Sequence, residues 1–169
     1  METEKEAKTW EATFIERIDE LQTGERTALK RSCGVLLNNA DIRAFNAFYK
    51  ALLLKVPAKD EDIWFFAGCV RAQWDSTQRN ALPFEKAMAD FSKKDGSDSF
   101  QKRFVTLLDT PWSEDGYLAV KLTRIIKLLK QKGYVINAES LLRDLRGWNN
   151  EDRYVQKKWA KTFNFNVEE

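Results

Sequence analysis

Residues able to do acid–base, nucleophilic or metal chemistry are scarce in this sequence. It has no histidine, which removes the commonest general acid and base, the commonest zinc ligand, and the Ser-His and Cys-His nucleophile arrangements. Its two cysteines, Cys33 and Cys69, are too far apart for a CxxC site. Each lies among apolar residues on an expected helix, so both read as buried, reduced thiols. No GxxxxGK(S/T) or GxGxxG phosphate loop occurs. The adjacent acids Asp60, Glu61 and Asp62 suit the positive end of a helix dipole better than two opposed catalytic carboxylates, and Glu151-Asp152 reads the same way. An enzyme built on Asp, Glu, Lys or Tyr alone, such as Asp144 with Lys121, has no supporting pattern. The chain is expected to be non-catalytic, with no cofactor and no metal.

What the sequence offers instead is unevenly placed positive charge. Overall, 28 Lys+Arg face 26 Asp+Glu for a net charge of +2. Residues 1–100 hold 15 basic against 17 acidic residues, a balance of −2, and residues 101–169 hold 13 against 9, a balance of +4. Between Asp115 and Glu139 there is no acid, yet Lys121, Arg124, Lys127, Lys130 and Lys132 all fall there. At about 100° per residue, with Lys121 as zero, Leu118, Leu122, Ile125, Ile126 and Leu129 cluster between roughly 40° and 140°, and Arg124, Lys127 and Lys130 between about 180° and 300°. A core face therefore opposes a basic face with no acidic partner one turn away. Further basic residues stand at Arg17, at Arg26, Lys30 and Arg31, and at Arg143 and Arg146. Such groups fit a polyanion, although a solvated face is the default for any one basic helix surface.

The elements that would carry these residues are helical. The 169 residues, 43% hydrophobic and 12% aromatic, suffice for a core without disulfides or metal. No apolar run approaches the roughly 18 residues of a membrane span. The opening METEKEAKTWE is too acidic for a secretory or transit peptide, so a cytoplasmic protein with no membrane partner is expected. The 7 glycines and 3 prolines fall between long periodic runs without strand alternation, predicting an all-α bundle of about eight helices. The polar run SKKDGSDS, residues 92–99, is the expected linker, dividing the chain into lobes 1–95 and 96–169 or merely joining two helices of one domain.

Helices are expected over residues 10–21, with Phe14, Ile15, Ile18 and Leu21 on one face, and over 25–33, after a break at Thr23-Gly24 and before a left-handed Gly34. A third follows Asp41 along Ile42, Phe45, Phe48, Tyr49 and Leu52. A fourth is capped by Asp60 and carries Ile63, Phe66, Ala67, Val70 and Trp74, with Gly68 as a close-packing point. Others start at Pro83, span 100–108, run from a Ser113 cap to Lys132 before Gly133, run from an Asn137 cap to Gly147, and span 150–162. The 6 tryptophans, Trp10, Trp64, Trp74, Trp112, Trp148 and Trp159, are expected in the core rather than stacked on bases.

The order of these helices and the places of their basic residues carry a resemblance. FIERIDELQTGERTALKRS, then AFYKALL, QKRFVTLLDT, LAVKLTRIIKLLKQKG, INAESLLRDLRGW and VQKKWAKTFNF are similar, in that order, to the helices of the CasB family, the small subunit of the type I-E CRISPR Cascade surveillance complex. The likeness spans about residues 14 to 165. Where the family has Leu-Arg-Arg on its long helix, this chain has Leu122-Thr123-Arg124, leaving Lys121 or Lys127 to supply the second charge.

The resemblance implies an all-helical, non-catalytic subunit in antiviral defence, dimeric within its complex and in contact with the large and backbone subunits. It would hold the displaced single-stranded non-target DNA, and the backbone around the guide RNA–DNA heteroduplex, once the R-loop opens. Position by position, the resemblance points to Arg17, to Arg26, Lys30 and Arg31, to Lys102 and Arg103, to Lys121, Arg124 and Lys127, and to Arg143 and Arg146. R-loop exchange is nearly balanced energetically, so modest contacts to phosphates can tip it without reading sequence. The rival reading is a protein-interaction scaffold whose basic faces meet acidic partners.

Overall fold

The computed structural model describes residues 7–78, 81–95 and 97–165. Within them run nine α-helices: α1 (Trp10–Asp19), α2 (Thr23–Arg31), α3 (Ile42–Ala51), α4 (Glu61–Arg71), α5 (Phe84–Asp95), α6 (Asp98–Leu108), α7 (Tyr117–Gln131), α8 (Ala138–Arg146) and α9 (Tyr154–Phe165). Short 3-10 turns occupy Leu37–Asn39 and Ala58–Asp60. The class is all-α as expected. Among the described residues the extended pairing amounts to one parallel bridge between Leu82 and Ile136. There the Leu82 N–H donates to the Val135 carbonyl at 2.9 Å and the Asn137 N–H to the Leu82 carbonyl at 2.8 Å, tying the approach to α5 to the α7–α8 connection. No helix among the described residues is long and apolar enough to cross a membrane.

The sequence of α4, EDIWFFAGCVR, is apolar around its whole circumference, and each residue from Ile63 to Arg71 is buried. Such a helix has to lie inside the bundle, and α1, α2, α7 and α8 pack on it. Gly68 sets the approach of α1: a Cβ there would sit 3.2 Å from both Ile18 Cδ1 and Phe14 Cζ. Phe14 meets Trp64 edge-on with centroids 5.2 Å apart, and Phe48 of α3 meets Phe65 at 5.4 Å. On the far side Trp159 packs against Trp148 at 4.9 Å and Phe84 at 5.0 Å, while Phe163 stacks on Phe104 at 4.0 Å. One hydrophobic cluster draws side chains from α1 through α9, on both sides of residue 95.

Buried polar groups close the ends of these helices. Arg71 Nε donates to Asp19 Oδ1 at 2.7 Å, and its other nitrogens donate to the Gln78 and Asp75 carbonyls at 3.2 and 3.3 Å, which pins the turn after α4 to α1. Asp144 accepts from Trp159 Nε1 at 2.8 Å and from the Lys158 ammonium. Both cysteines are buried and unpaired. Burial raises both thiols; the Thr123 hydroxyl, 3.6 Å from Cys33 Sγ, partly offsets this for Cys33.

Several expected boundaries move. Thr23 and Gly24 open α2 rather than interrupt the chain, because Glu25 Oε1 accepts the Gln22 N–H at 3.2 Å and starts the helix early. Asp60 makes no side-chain cap. Instead Asp62 accepts the Leu37 N–H at 2.9 Å and Glu61 accepts the Tyr49 hydroxyl at 2.6 Å, so these acids stitch α3 and the first 3-10 turn to α4. Ser113 does not cap α7, whose first residue follows Gly116 in the left-handed region (φ 73°); Asp115 accepts the Tyr117 N–H at 3.0 Å. Asn137 caps α8 as expected, accepting the Ser140 N–H at 3.1 Å. Most of residues 92–99 is helical, with α5 reaching Asp95 and Ser97 capping α6, while Gly96 lies outside the described residues. Trp64, Trp74, Trp148 and Trp159 are core, whereas Trp10 is 40% exposed and Trp112 only partly buried.

The α1–α4 contact gives a direct test. Gly68→Val should destabilise the protein by about 2 kcal/mol through overpacking, lowering the urea midpoint without changing the slope. Gly24→Ala, with nothing within 4 Å of the new methyl, should leave the midpoint unchanged or slightly raised.

Candidate nucleic-acid interface

The helix α7 has the two faces its periodicity predicts. Leu118, Leu122, Ile125, Ile126 and Leu129 are buried, Arg124 and Lys127 are exposed, and Lys121 and Lys130 are half-buried. Elements on either side bring further cations to it.

On one side, the chain leaving α2 runs antiparallel along α7. Lys30 faces Lys130, Cys33 meets Thr123, and Leu36 packs on Gly116, with a Cβ at Gly116 falling 3.3 Å from Leu36 Cγ. Gly34 takes φ 91°, as expected for the left-handed position, and a Cβ there would lie 2.9 Å from Thr123 Oγ1. Thr123 is buried and donates to the Ala119 carbonyl at 2.7 Å. A small residue at 123 thus lets the α2 turn close on α7, which is incompatible with a charged, solvent-facing side chain there. Burial first, and the Lys30 ammonium second, hold Lys130 below the usual lysine range.

On the other side, α6 presents Lys102 and Arg103 across from Lys121 and Arg124. With Ser99, Thr106 and Ile125 these four line a groove of about 580 Å³. Lys121 Nζ donates to Thr110 Oγ1 at 2.8 Å. Among the described residues none of Lys30, Lys102, Arg103, Lys121, Arg124, Lys127 or Lys130 forms an ion pair with an acid. A ridge of positive charge therefore extends from the α6 groove to the end of α2.

The remaining expected residues stand apart from this ridge or are engaged. Arg146 Nη1 donates to Glu11 Oε1 at 2.6 Å, with its guanidinium 5.4 Å from the centre of the buried Trp64 ring, which makes it a clamp between α8 and α1. Arg143 pairs with Glu139 at 3.4 Å on its own helix. Arg17 is exposed on α1 and donates to the Leu52 carbonyl at 3.5 Å. Arg31 lines a separate depression with Asp41 and Arg43. Arg26 lies beside Lys30 in a shallow pocket with Trp74 and Asp75. The residue missing from the expected set is Lys130: its place on the basic face of α7 was legible, but its approach to Lys30, about a hundred positions away, needed the fold. No group of three or more His, Cys, Asp or Glu able to hold a metal occurs among the described residues.

The fold has close relatives among solved structures. CasB from M. ruber superposes with a TM-score of 0.76 at 20% identity, covering 95% of each chain. A Cse2-family CRISPR-associated protein from Thermus thermophilus gives a TM-score of 0.76 at 23% identity, over 90% of this chain and 96% of that one. A chain of a CRISPR RNA-guided surveillance complex gives 0.70 at 20% identity, over 90% of each chain. No curated protein matches the sequence. The profile of CRISPR-associated protein Cse2 matches residues 25–163, a stretch that contains α3 to α8 whole and every residue of the basic ridge. By that match, in agreement with the CasB-like order of its helices, this chain belongs to the Cse2 (CasB) family of CRISPR-associated proteins.

Proposed function

We propose that this protein is the non-catalytic small subunit of a Cascade complex, holding nucleic acid through its phosphates during antiviral defence in the cytoplasm. The observation that carries the reading is the ridge of unneutralised cations along α7. From Lys121 to Lys130 the helix rises about 14 Å, long enough for its cations to face more than one phosphate of a strand. Cations placed this way attract a polyanion from any sequence and position it without reading base edges. The strands that fit are the displaced non-target single strand and the backbone around the guide RNA–DNA heteroduplex, whose exchange is balanced closely enough for a few such contacts to matter. Family membership, and the fold shared with a chain of a surveillance complex, support the assignment to Cascade.

The halves of the chain divide the work. Residues 96–169 supply the groove and the α7 ridge, and residues 1–95 add Lys30, with Arg26 beside it, and an exposed apolar face on α3. On α3, Ile42, Phe45 and Tyr49 project outward at helical spacing, and Leu54 beyond them is fully exposed. These apolar residues fit contacts with the large or backbone subunits or with a second copy in a dimer.

Charge reversal tests the reading. In a salt titration against a fluorescent single strand, Arg124→Glu with Lys127→Glu should weaken binding and reduce the salt slope by about 1 per reversed residue, with helicity unchanged. A wild-type protein that ignores single strands at low salt would favour acidic protein partners. Arg146→Glu should behave differently, lowering Tm because Glu11 is buried beside it, while the salt slope of the folded fraction stays as in the wild type. Removing the like-charge contact with Lys30→Gln should raise Tm of the free protein by about 1 °C at low salt, a gain that fades as salt rises, and should weaken strand binding.

A further inference from the structure

We infer that the groove between α6 and α7 receives an unstacked base, so that this face selects a single strand over a duplex. The inference rests on the phosphate-holding reading above and deepens it. Phosphates alone would need only the charged ends of Lys102, Arg103, Lys121 and Arg124, yet these four enclose a concavity of about 580 Å³, within the size range of small-molecule sites. Its lining is mostly carbon. Ile125 forms part of it, Thr106 has its hydroxyl engaged with the Lys102 carbonyl at 3.0 Å, and the exposed side chains of Lys102, Arg103 and Arg124 contribute methylene stems while their heads stay in water.

An apolar slot rimmed by cations matches a nucleotide, a flat ring attached to an anion. Arg103 and Arg124 come from opposite helices, and a guanidinium plane stacks on any base without reading its edge. The Lys121 wall is set before a ligand arrives: its ammonium is held by the Thr110 hydroxyl, which itself donates to the Thr106 carbonyl at 2.8 Å. Tyr117, 63% exposed and one turn before Lys121 on α7, adds a ring at the same end of the ridge. A duplex keeps its bases paired and stacked, so only a single strand can fill the slot.

The test uses the full chain and three fluorescent probes at low salt: oligothymidylate, a strand of equal length with abasic units throughout, and a duplex. The wild-type protein should bind oligothymidylate about tenfold more tightly than the abasic strand, with the same salt slope for both, and the duplex more weakly than oligothymidylate. Arg124→Lys, which keeps the charge and loses the plane, and Thr106→Phe, which fills the slot, should each reduce that ratio to about twofold or less without changing the slope or the circular dichroism. Equal affinity of the wild type for oligothymidylate and the abasic strand overturns this inference and leaves the phosphate reading intact. Binding of neither strand overturns both, and an undiminished ratio in both variants overturns the groove as the place where the base sits.

Discussion

A helix that is apolar on every side has no stable position except the interior, and the burial of α4 is the constraint that the other elements answer. Its length from Ile63 to Arg71 is covered by α1, α2, α7 and α8, each of which needs only one apolar face for the purpose. Large rings do most of the filling: Phe14, Trp64, Phe48 and Phe65 meet edge to face around it, an arrangement that gains from ring quadrupoles as well as from area. Gly68 lets α1 come close, and Arg71 closes the end by satisfying Asp19 and two carbonyls. Burying that arginine is tolerable because each nitrogen of its guanidinium donates a hydrogen bond, one of them to a carboxylate.

The basic ridge follows from the same constraint. Covering α4 turns the leucine and isoleucine face of α7 inward and leaves its cations outward, and α2 and α6, which flank α7, carry more cations to the same side. Among the described residues no acid pairs with them. Burial and the neighbouring Lys30 ammonium disfavour protonation of Lys130, a local cost to the free protein that a bound phosphate would relieve. Arg146 makes the contrast plain: paired with Glu11 over the Trp64 ring, it holds the fold, whereas Arg124 on the ridge meets no acid among the described residues.

The elements that depend on local pattern are legible in the sequence. The faces of α7 are legible because hydrophobic periodicity and the gap in acidic residues both lie within one helix. The left-handed glycine at 34, the Asn137 cap and the tight place at Gly68 are legible because only certain side chains fit such positions. The expectations that moved did so where a different local residue started the helix, as at Gln22 and Asp115, or where a side chain took a partner outside its own helix. Asp62 keeps its place in the first turn of α4 but also accepts the Leu37 amide, and Asp115, not Ser113, begins α7. Arg146 looks like Arg124 in sequence, and only packing against α1 assigns it elsewhere.

The sequence by itself determined the all-helical class, the lack of any histidine to do chemistry, and the presence of one strongly basic helix, since composition and period-3.6 patterning are local properties of the chain. Tertiary structure decided which cations act together. It brought Lys30 to Lys130, set Lys102 and Arg103 across a groove from Lys121 and Arg124, and drew Arg146 to Glu11. Charge interactions depend on distance in space and on burial, and neither follows from separation along the chain.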